Sequence, residues 1–225
     1  MIIYESSDIK VHRLLLNDKK TNCFIVRKDS LALLIDPVDK PDLIIQYLRE
    51  NNITLKYMMS THAHFDHVFA ASGIIEQGSI ANLFLHEADF SELQKAKSFS
   101  AVIYKKKLNL PLVKMFDESF TDFLSSLNLG IKHVGGHTKG SCYVHDLAKK
   151  YMFTGDLAIN HRLRLSLFDN RENIKEFYIF LMGIKADFHE DTIIFPGHGD
   201  MTQLGIEFEK NTKWHYIINK HDSNS

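Results

Sequence analysis

Apolar residues along this chain gather in runs of four to six, most of them bounded by polar turns and only a few keeping a helical period. Residues 11–16, 22–26 and 31–35 predict three successive strands, with Asn17-Asp18-Lys19-Lys20 and Lys28-Asp29-Ser30 as the turns between them. Asp36-Pro37 stops the third strand. Pro41 then suits the first turn of a helix, and Leu43, Ile44, Ile45, Tyr47 and Leu48 carry its apolar face as far as Asn51-Asn52. A strand over 55–60, a helix over 68–75, a short strand over 81–85 and a helix over 87–97 follow. Residues 98–123 keep no clean period. From Phe123 a strand pattern resumes to residue 154, broken at 128–130 and 148–150. Ile174, Phe177, Tyr178, Phe180, Leu181 and Ile184 predict a helix over 172–184, and a strand over 192–196 and a helix over 203–210 come after it. Trp214 and a polar, frayed tail at 221–225 end the chain. Periodicity alone therefore gives an α/β or α+β chain in which the second half repeats the order of the first.

Bulk numbers narrow the class of function. A length of 225 residues suits one large domain, 1–225, with a substantial core. The net charge is −1 with histidine neutral, and no basic excess points to nucleic acid as a partner. No apolar run approaches the roughly 18 residues of a membrane span, so no membrane partner is expected. The first residues lack the basic start and apolar core of a signal peptide. Cys23 and Cys142 are too few for a disulfide framework and lie in apolar runs, where they read as buried thiols. Together these features predict a cytoplasmic protein, monomer or homodimer, acting on a small molecule. Lys105-Lys106-Lys107 reads as a solvated face.

The chemistry lies where the apolar runs stop. After Tyr57-Met58-Met59 comes Ser60-Thr61-His62-Ala63-His64-Phe65-Asp66-His67, with three imidazoles and a carboxylate within six residues. In an extended segment His62 and His64 share a face, while Asp66 and His67 follow once the chain has begun to turn. Three more metal-competent residues sit beside glycines at later run ends: His137 in Gly135-Gly136-His137, Asp156 in Thr154-Gly155-Asp156, and His198 in Pro196-Gly197-His198. One histidine at a strand end is ordinarily a satisfied structural residue. Four run ends with the same chemistry call for a cation, because such groups go unsatisfied when buried alone. Zinc, iron and manganese all accept imidazole and carboxylate ligands.

These motifs resemble those of the metallo-β-lactamase superfamily. Its His-x-His-x-Asp-His signature stands here as His62, His64, Asp66 and His67, its later ligands as His137, Asp156 and His198, and its early strand-closing Asp as Asp36. The resemblance implies an αββα sandwich, two mixed sheets packed face to face with helices outside. It implies two divalent metal ions, zinc first with iron or manganese as alternatives. His62, His64 and His137 would hold one ion, Asp66, His67 and His198 the other, and Asp156 would bridge them, with Asp66 also serving catalysis. A hydroxide shared by the two ions would attack a carbonyl. Asp36, and Thr61 beside it, would orient ligand histidines from behind. Ser141 reads as a structural hydroxyl, since no base adjoins it.

Thr154-Gly155-Asp156 and Phe195-Pro196-Gly197-His198-Gly199-Asp200 look like the glyoxalase-II-like branch, whose members hydrolyse thioesters of the hydroxyacylglutathione type. Gly199-Asp200 replaces the Glu-Tyr of full-length members, and residues 157–164 replace a glycine-rich stretch. Lys139, Arg162 and Arg164 are candidates to bind the carboxylate of an anionic substrate. A mononuclear-iron persulfide dioxygenase or a lactonase or β-lactamase on the same fold are the other enzymatic readings. A nucleic-acid hydrolase and a metal-binding scaffold without activity fit the residues less well.

Overall fold

The computed structural model describes residues 1–17, 20–78, 80, 82–103, 108–158 and 171–222. Arg162, Arg164 and the run Lys105–Lys107 lie outside them. The first half forms a seven-stranded sheet whose order follows the chain: β1 (Ile2–Glu5), β2 (Ile9–Leu15), β3 (Asn22–Lys28), β4 (Leu31–Ile35), β5 (Thr54–Met59), β6 (Leu83–Phe84) and β7 (Val113–Lys114). Pairing is antiparallel through β4 and parallel from β4 onward. Helix α1 (Pro41–Glu50) crosses from β4 to β5. Helices α2 (Phe65–Val68) and α3 (Ala71–Glu76) follow β5, and a 3₁₀ turn (Glu87–Asp89) leads into α4 (Phe90–Ile103). Helix α5 (Glu118–Ser126) then passes to the second sheet, which holds β8 (Leu129–His133), β9 (Cys142–Asp146), β10 (Tyr151–Gly155), β11 (Ile193–Pro196) and β12 (Thr202–Gln203), in sequential order. Helix α6 (Arg171–Asp187) makes the crossover from β10 to its parallel neighbour β11, and α7 (Leu204–Lys210) and α8 (Thr212–Asp222) close the chain.

Strand alternation builds three apolar layers. Along β3 and β4, Cys23, Ile25, Ala32 and Leu34 point to one face and pack with Ile44, Leu48 and Ile74 of α1 and α3. Phe24, Val26, Leu33 and Ile35 point to the other and meet Tyr151, Phe153 and Phe195 of the second sheet. Met152 and Ile194 on the far side of that sheet meet Phe177, Leu181 and Trp214 of α6 and α8. Strands buried on both faces lose the hydrophobic–polar alternation of a half-exposed sheet, which is why they read as continuous apolar runs. The result is the expected α/β sandwich of two mixed sheets with helices outside. Among the described residues, no helix is long and apolar enough to cross a membrane.

Four sequence expectations change. Residues 2–5 form a strand, and Phe123, read as the start of a strand pattern, lies inside α5. Asp117 caps that helix, its Oδ1 accepting the N–H of Phe120 at 3.0 Å, and Phe120 and Leu124 lie four apart on its buried face. The helix expected over 68–75 is broken at Phe69-Ala70, because the Ala70 N–H turns to the carbonyl of Pro37 at 2.9 Å instead of to its own turn. Residues Thr212–Asp222, which take in the first two positions of the tail expected at 221–225, form an eleven-residue helix with Trp214 fully buried.

His12 is 1% exposed between β2 and α1, with Nδ1 on the Tyr47 hydroxyl at 2.8 Å and Nε2 without a hydrogen-bond partner. Burial, with help from the Arg27 charge, pushes its pKa down to about 4. The folded pKa lies below the unfolded one, so below pH 6.5 the unfolded chain binds the extra proton and stability falls until about pH 4. His12→Phe is therefore expected to flatten the loss of Tm between pH 6.5 and 4, followed by thermal denaturation across that range. An unchanged slope would remove His12 from the acid response.

Candidate metal centre

Every motif residue sits where a strand ends. Strand β5 delivers Ser60 and Thr61, and His64 precedes the first turn of α2, so that His62 and His64 leave the sheet before Asp66 and His67 enter the helix. The second sheet delivers the remainder: β8 leads toward His137, β10 ends at Gly155 before Asp156, and β11 ends at Pro196 before His198. Two glycines make the approach possible. Gly155 has φ 50°, and a Cβ there would strike Thr61. A Cβ on Gly197 would strike the Asp156 carboxylate and come within 2.8 Å of His67 Cε1.

The seven side chains form two adjoining groups. His62, His64, His137 and Asp156 make one, and Asp66, His67 and His198 make the other. Within each, the nearest ring nitrogens and carboxylate oxygens lie inside 4.8 Å of one another. His64 Nδ1 lies 3.0 Å from His137 Nε2, and His67 Nε2 lies 3.3 Å from His198 Nε2. Asp156 touches both groups. Its Oδ1 is 3.4 Å from His67 Nε2, and its Oδ2 is 3.5 Å from His198 Nε2 and 3.7 Å from His137 Nε2. Asp66 Oδ2 stands 3.5 Å from His198 Nε2.

A shell behind this cluster fixes ring orientation. Asp36 is 1% exposed with φ 55°. Its Oδ1 accepts from the Thr61 N–H (2.7 Å), and its Oδ2 from the Thr61 hydroxyl (3.0 Å) and His67 Nδ1 (2.9 Å), while the Ser60 hydroxyl donates to the His62 carbonyl at 2.6 Å. Thr61 Oγ1 spends its proton on Asp36, so it accepts from His62 Nδ1 at 3.1 Å. Both His62 and His67 are thereby set to turn Nε2 inward. Strands β2 and β3 latch the His198 loop: Asn22 Nδ2 donates to the carbonyls of Pro196 (2.7 Å) and Gly199 (2.9 Å), and Arg13 donates to Gly199 and Asp200.

Asp89 is a residue that sequence reading missed. It is fully buried at the end of the 3₁₀ turn. Its Oδ2 accepts from the Ala63 N–H (2.9 Å) and the Thr138 hydroxyl (2.7 Å), and its Oδ1 from the Gly140 N–H (2.7 Å). One carboxylate thus pins the loop of His62 and His64 to the loop of His137. Ser141 hydrogen bonds Thr138 at 2.8 Å within that same turn. Lys139 is exposed, with its carbonyl taken by His133 at 2.7 Å.

Charge in the cluster is unbalanced without a cation. Burial holds His62 and His137 well below the ordinary histidine pKa, with neighbouring rings adding to the effect, and burial lowers His64 as well. Burial would also lower His67, but Asp36 and Asp156 outweigh it and raise that ring. Burial would raise Asp156, yet His198, His67 and His137 hold it well below the usual carboxylate range. His62 Nε2, His137 Nδ1 and Asp156 Oδ1 are buried without a hydrogen-bond partner. Imidazole nitrogens bound at 2.0–2.1 Å to one tetrahedral ion would sit roughly 3.4 Å apart, close to the spacings seen here. The donors present fit divalent cations.

Comparison with known proteins agrees with this geometry. Residues 16–198 match the family model described as the metallo-beta-lactamase superfamily. The hydroxyacylglutathione hydrolase GloC of Haemophilus influenzae is 28% identical over 198 residues, covering 84% of this chain and 91% of that protein. The crystal structure of the B3 metallo-beta-lactamase BLEG-1 superposes with a TM-score of 0.74 at 22% identity, covering 91% of this chain and 99% of that one. TTHA1623 in a di-iron-bound form does so with 0.74 at 24% identity, covering 90% and 99%. Motif order, sandwich and the clustered imidazoles and carboxylates converge with these matches: the chain belongs to the metallo-beta-lactamase superfamily, metallo-hydrolases that bind divalent metals.

Proposed function

We propose that this protein is a binuclear metallohydrolase acting on thioesters of the hydroxyacylglutathione type. One ion would be held by His62, His64 and His137, a second by Asp66, His67 and His198, with Asp156 shared. Ligands drawn from both sheets make residues 1–225 one functional unit. The observation that carries the metal reading is the set of buried, unpartnered ligand atoms, above all His62 Nε2 and Asp156 Oδ1. Divalent ions bound there would acidify a water and polarise the scissile carbonyl.

The chain's own residues do the rest. Asp36 and Thr61 hold the tautomers of His67 and His62, and Asp89 keeps the loops of His64 and His137 in register. Asp66, 9% exposed and 3.5 Å from His198 Nε2, would help hold the second ion and offer its other oxygen to the water that ion acidifies. Protonation of the leaving group finds no ready donor among the nearby hydroxyls, since those of Thr61 and Ser141 are committed to Asp36 and Thr138. A leaving group able to depart as an anion is therefore favoured, and a thiolate, with a pKa near about 8.5, departs far more readily than an alkoxide or amide nitrogen. The similarity to GloC points to the same class.

Metal analysis of the purified protein beside thioester hydrolysis tests this. About two ions per chain and turnover of S-lactoylglutathione, lost on chelation, are expected. A single iron with oxygen consumption would move the protein to the dioxygenase reading, and turnover of lactones or lactams alone would move the substrate.

A further inference from the structure

Helix α8, for which the sequence pattern gave no element, brings a lysine to the edge of the cluster. Asn211 caps the helix, its Oδ1 accepting the N–H of Lys213 at 3.1 Å and of Trp214 at 3.2 Å, and its own amide is held by Glu207 at 2.5 Å. Trp214 Nε1 donates to the carbonyl of Leu157, the residue after Asp156, at 3.3 Å. The start of α8 is thereby fixed against the segment that leaves β10. From there the Lys213 ammonium lies 4.5 Å from the centroid of the Phe177 ring, and Phe177 packs directly on Gly136, the neighbour of His137. The ammonium is near enough to be stabilised by the Asp156 charge and to depress His137 in turn.

Three features make Lys213 unlike an ordinary surface lysine. Among the described residues its Nζ has no hydrogen-bond or ion-pair partner, and its compensation is the Phe177 face and the Asp156 charge beyond ion-pair distance. Burial pushes its pKa down to about 8 while Asp156 pulls the other way, which leaves it charged at neutral pH. It also stands beside a cluster that would itself hold cations, so that its charge is repelled unless an anion joins it. A partly desolvated ammonium held only by a ring face and by a carboxylate shared with the cluster is costly to keep.

We infer that Lys213 receives a carboxylate of the substrate at the rim of the metal cluster, making the enzyme selective for acidic thioesters. This rests on the thioester reading above and names the substrate class within it. The carboxylate bridges from the ammonium over Phe177 toward His137, and the scissile carbonyl falls over the cluster. Binding is the step that gains, since the carboxylate is remote from the bond being cleaved; the contact is made equally before and during reaction and acts on KM rather than kcat.

Lys213→Met keeps a chain of similar length on Phe177 and removes the charge. In the metal-loaded enzyme, it should raise KM for S-lactoylglutathione about tenfold with kcat within about twofold, and leave the uncharged S-phenyl thioacetate unaffected. Lys213→Arg should recover most of the loss. Equal changes on both substrates, or none on either, would overturn the inference. If the unaltered enzyme cleaves neither thioester, the functional proposal fails and Lys213 is judged by protection instead. Saturating succinate should slow its acetylation by acetic anhydride severalfold in peptide mass mapping, and acetylation at an unchanged rate would overturn it.

Discussion

Asp156→Asn is expected to lower kcat/KM for thioester hydrolysis by about three orders of magnitude or more and to reduce bound metal from two ions to one or fewer. The two carboxylate oxygens of Asp156 lie beside ring nitrogens of both groups. Asp156 lies 3.4 Å from His67, 3.5 Å from His198 and 3.7 Å from His137. It also carries the negative charge that the buried rings need, since those histidines hold it well below the usual carboxylate range even against burial. An amide keeps the shape and loses the charge, so the variant separates electrostatics from packing. Elemental analysis and steady-state kinetics on one preparation read both effects. Wild-type metal content together with wild-type turnover would remove Asp156 from the centre.

How much of this was legible beforehand depended on where each residue's signal came from. The strand over 31–35 and the helix from Pro41 matched, because their turns carry Asp, Pro and Asn with definite backbone preferences. The seven motif residues announced themselves because imidazoles and carboxylates beside glycines have few other reasons to end an apolar run. Asp36 and Thr61 came from the resemblance, and the hydrogen bonds to His67 and His62 give them a physical role. Asp89 gave no such signal. A lone Asp at the start of a helix ordinarily faces the helix dipole in water, and only the long-range fold turns this one toward Ala63, Thr138 and Gly140.

The misread elements share a cause. Helix α5 is built on Phe120, Phe123 and Leu124, and aromatics favour strands in isolation. Its identity comes from the Asp117 cap and from contacts with Phe84 and Tyr57 across the sandwich. Helix α8 went unassigned because Lys213, His215, Asn219 and Lys220 dilute an apolar face made of Trp214, Ile217 and Ile218. Missing that helix also hid Lys213. The substrate-facing candidates chosen instead were the nearest cations in sequence: Arg162 and Arg164 lie outside the described residues, and Lys139 is exposed.

Asp36→Asn should destabilise the protein by about 2–4 kcal/mol and weaken metal binding about 10–100-fold, although Asp36 is not itself in the ligand set. Three donors converge on this buried carboxylate: the Thr61 N–H, the Thr61 hydroxyl and His67 Nδ1. An asparagine offers one oxygen and one NH₂, so whichever way it turns, a donor faces a donor. At this size the deficit corresponds to a fall in Tm of roughly 4–16 °C. The deficit should depend on pH in the metal-free protein. Asp36 and Asp156 raise the His67 pKa above its unfolded value despite burial, so the ion pair contributes fully below pH 6.5 and is lost as pH rises through the folded pKa. Thermal denaturation of metal-free wild type and variant should therefore show a larger gap at pH 6 than at pH 9.5. A gap that grows toward alkaline pH would mean that His67 is neutral against Asp36, and the orientation of its Nε2 would then have to come from packing against His62 instead.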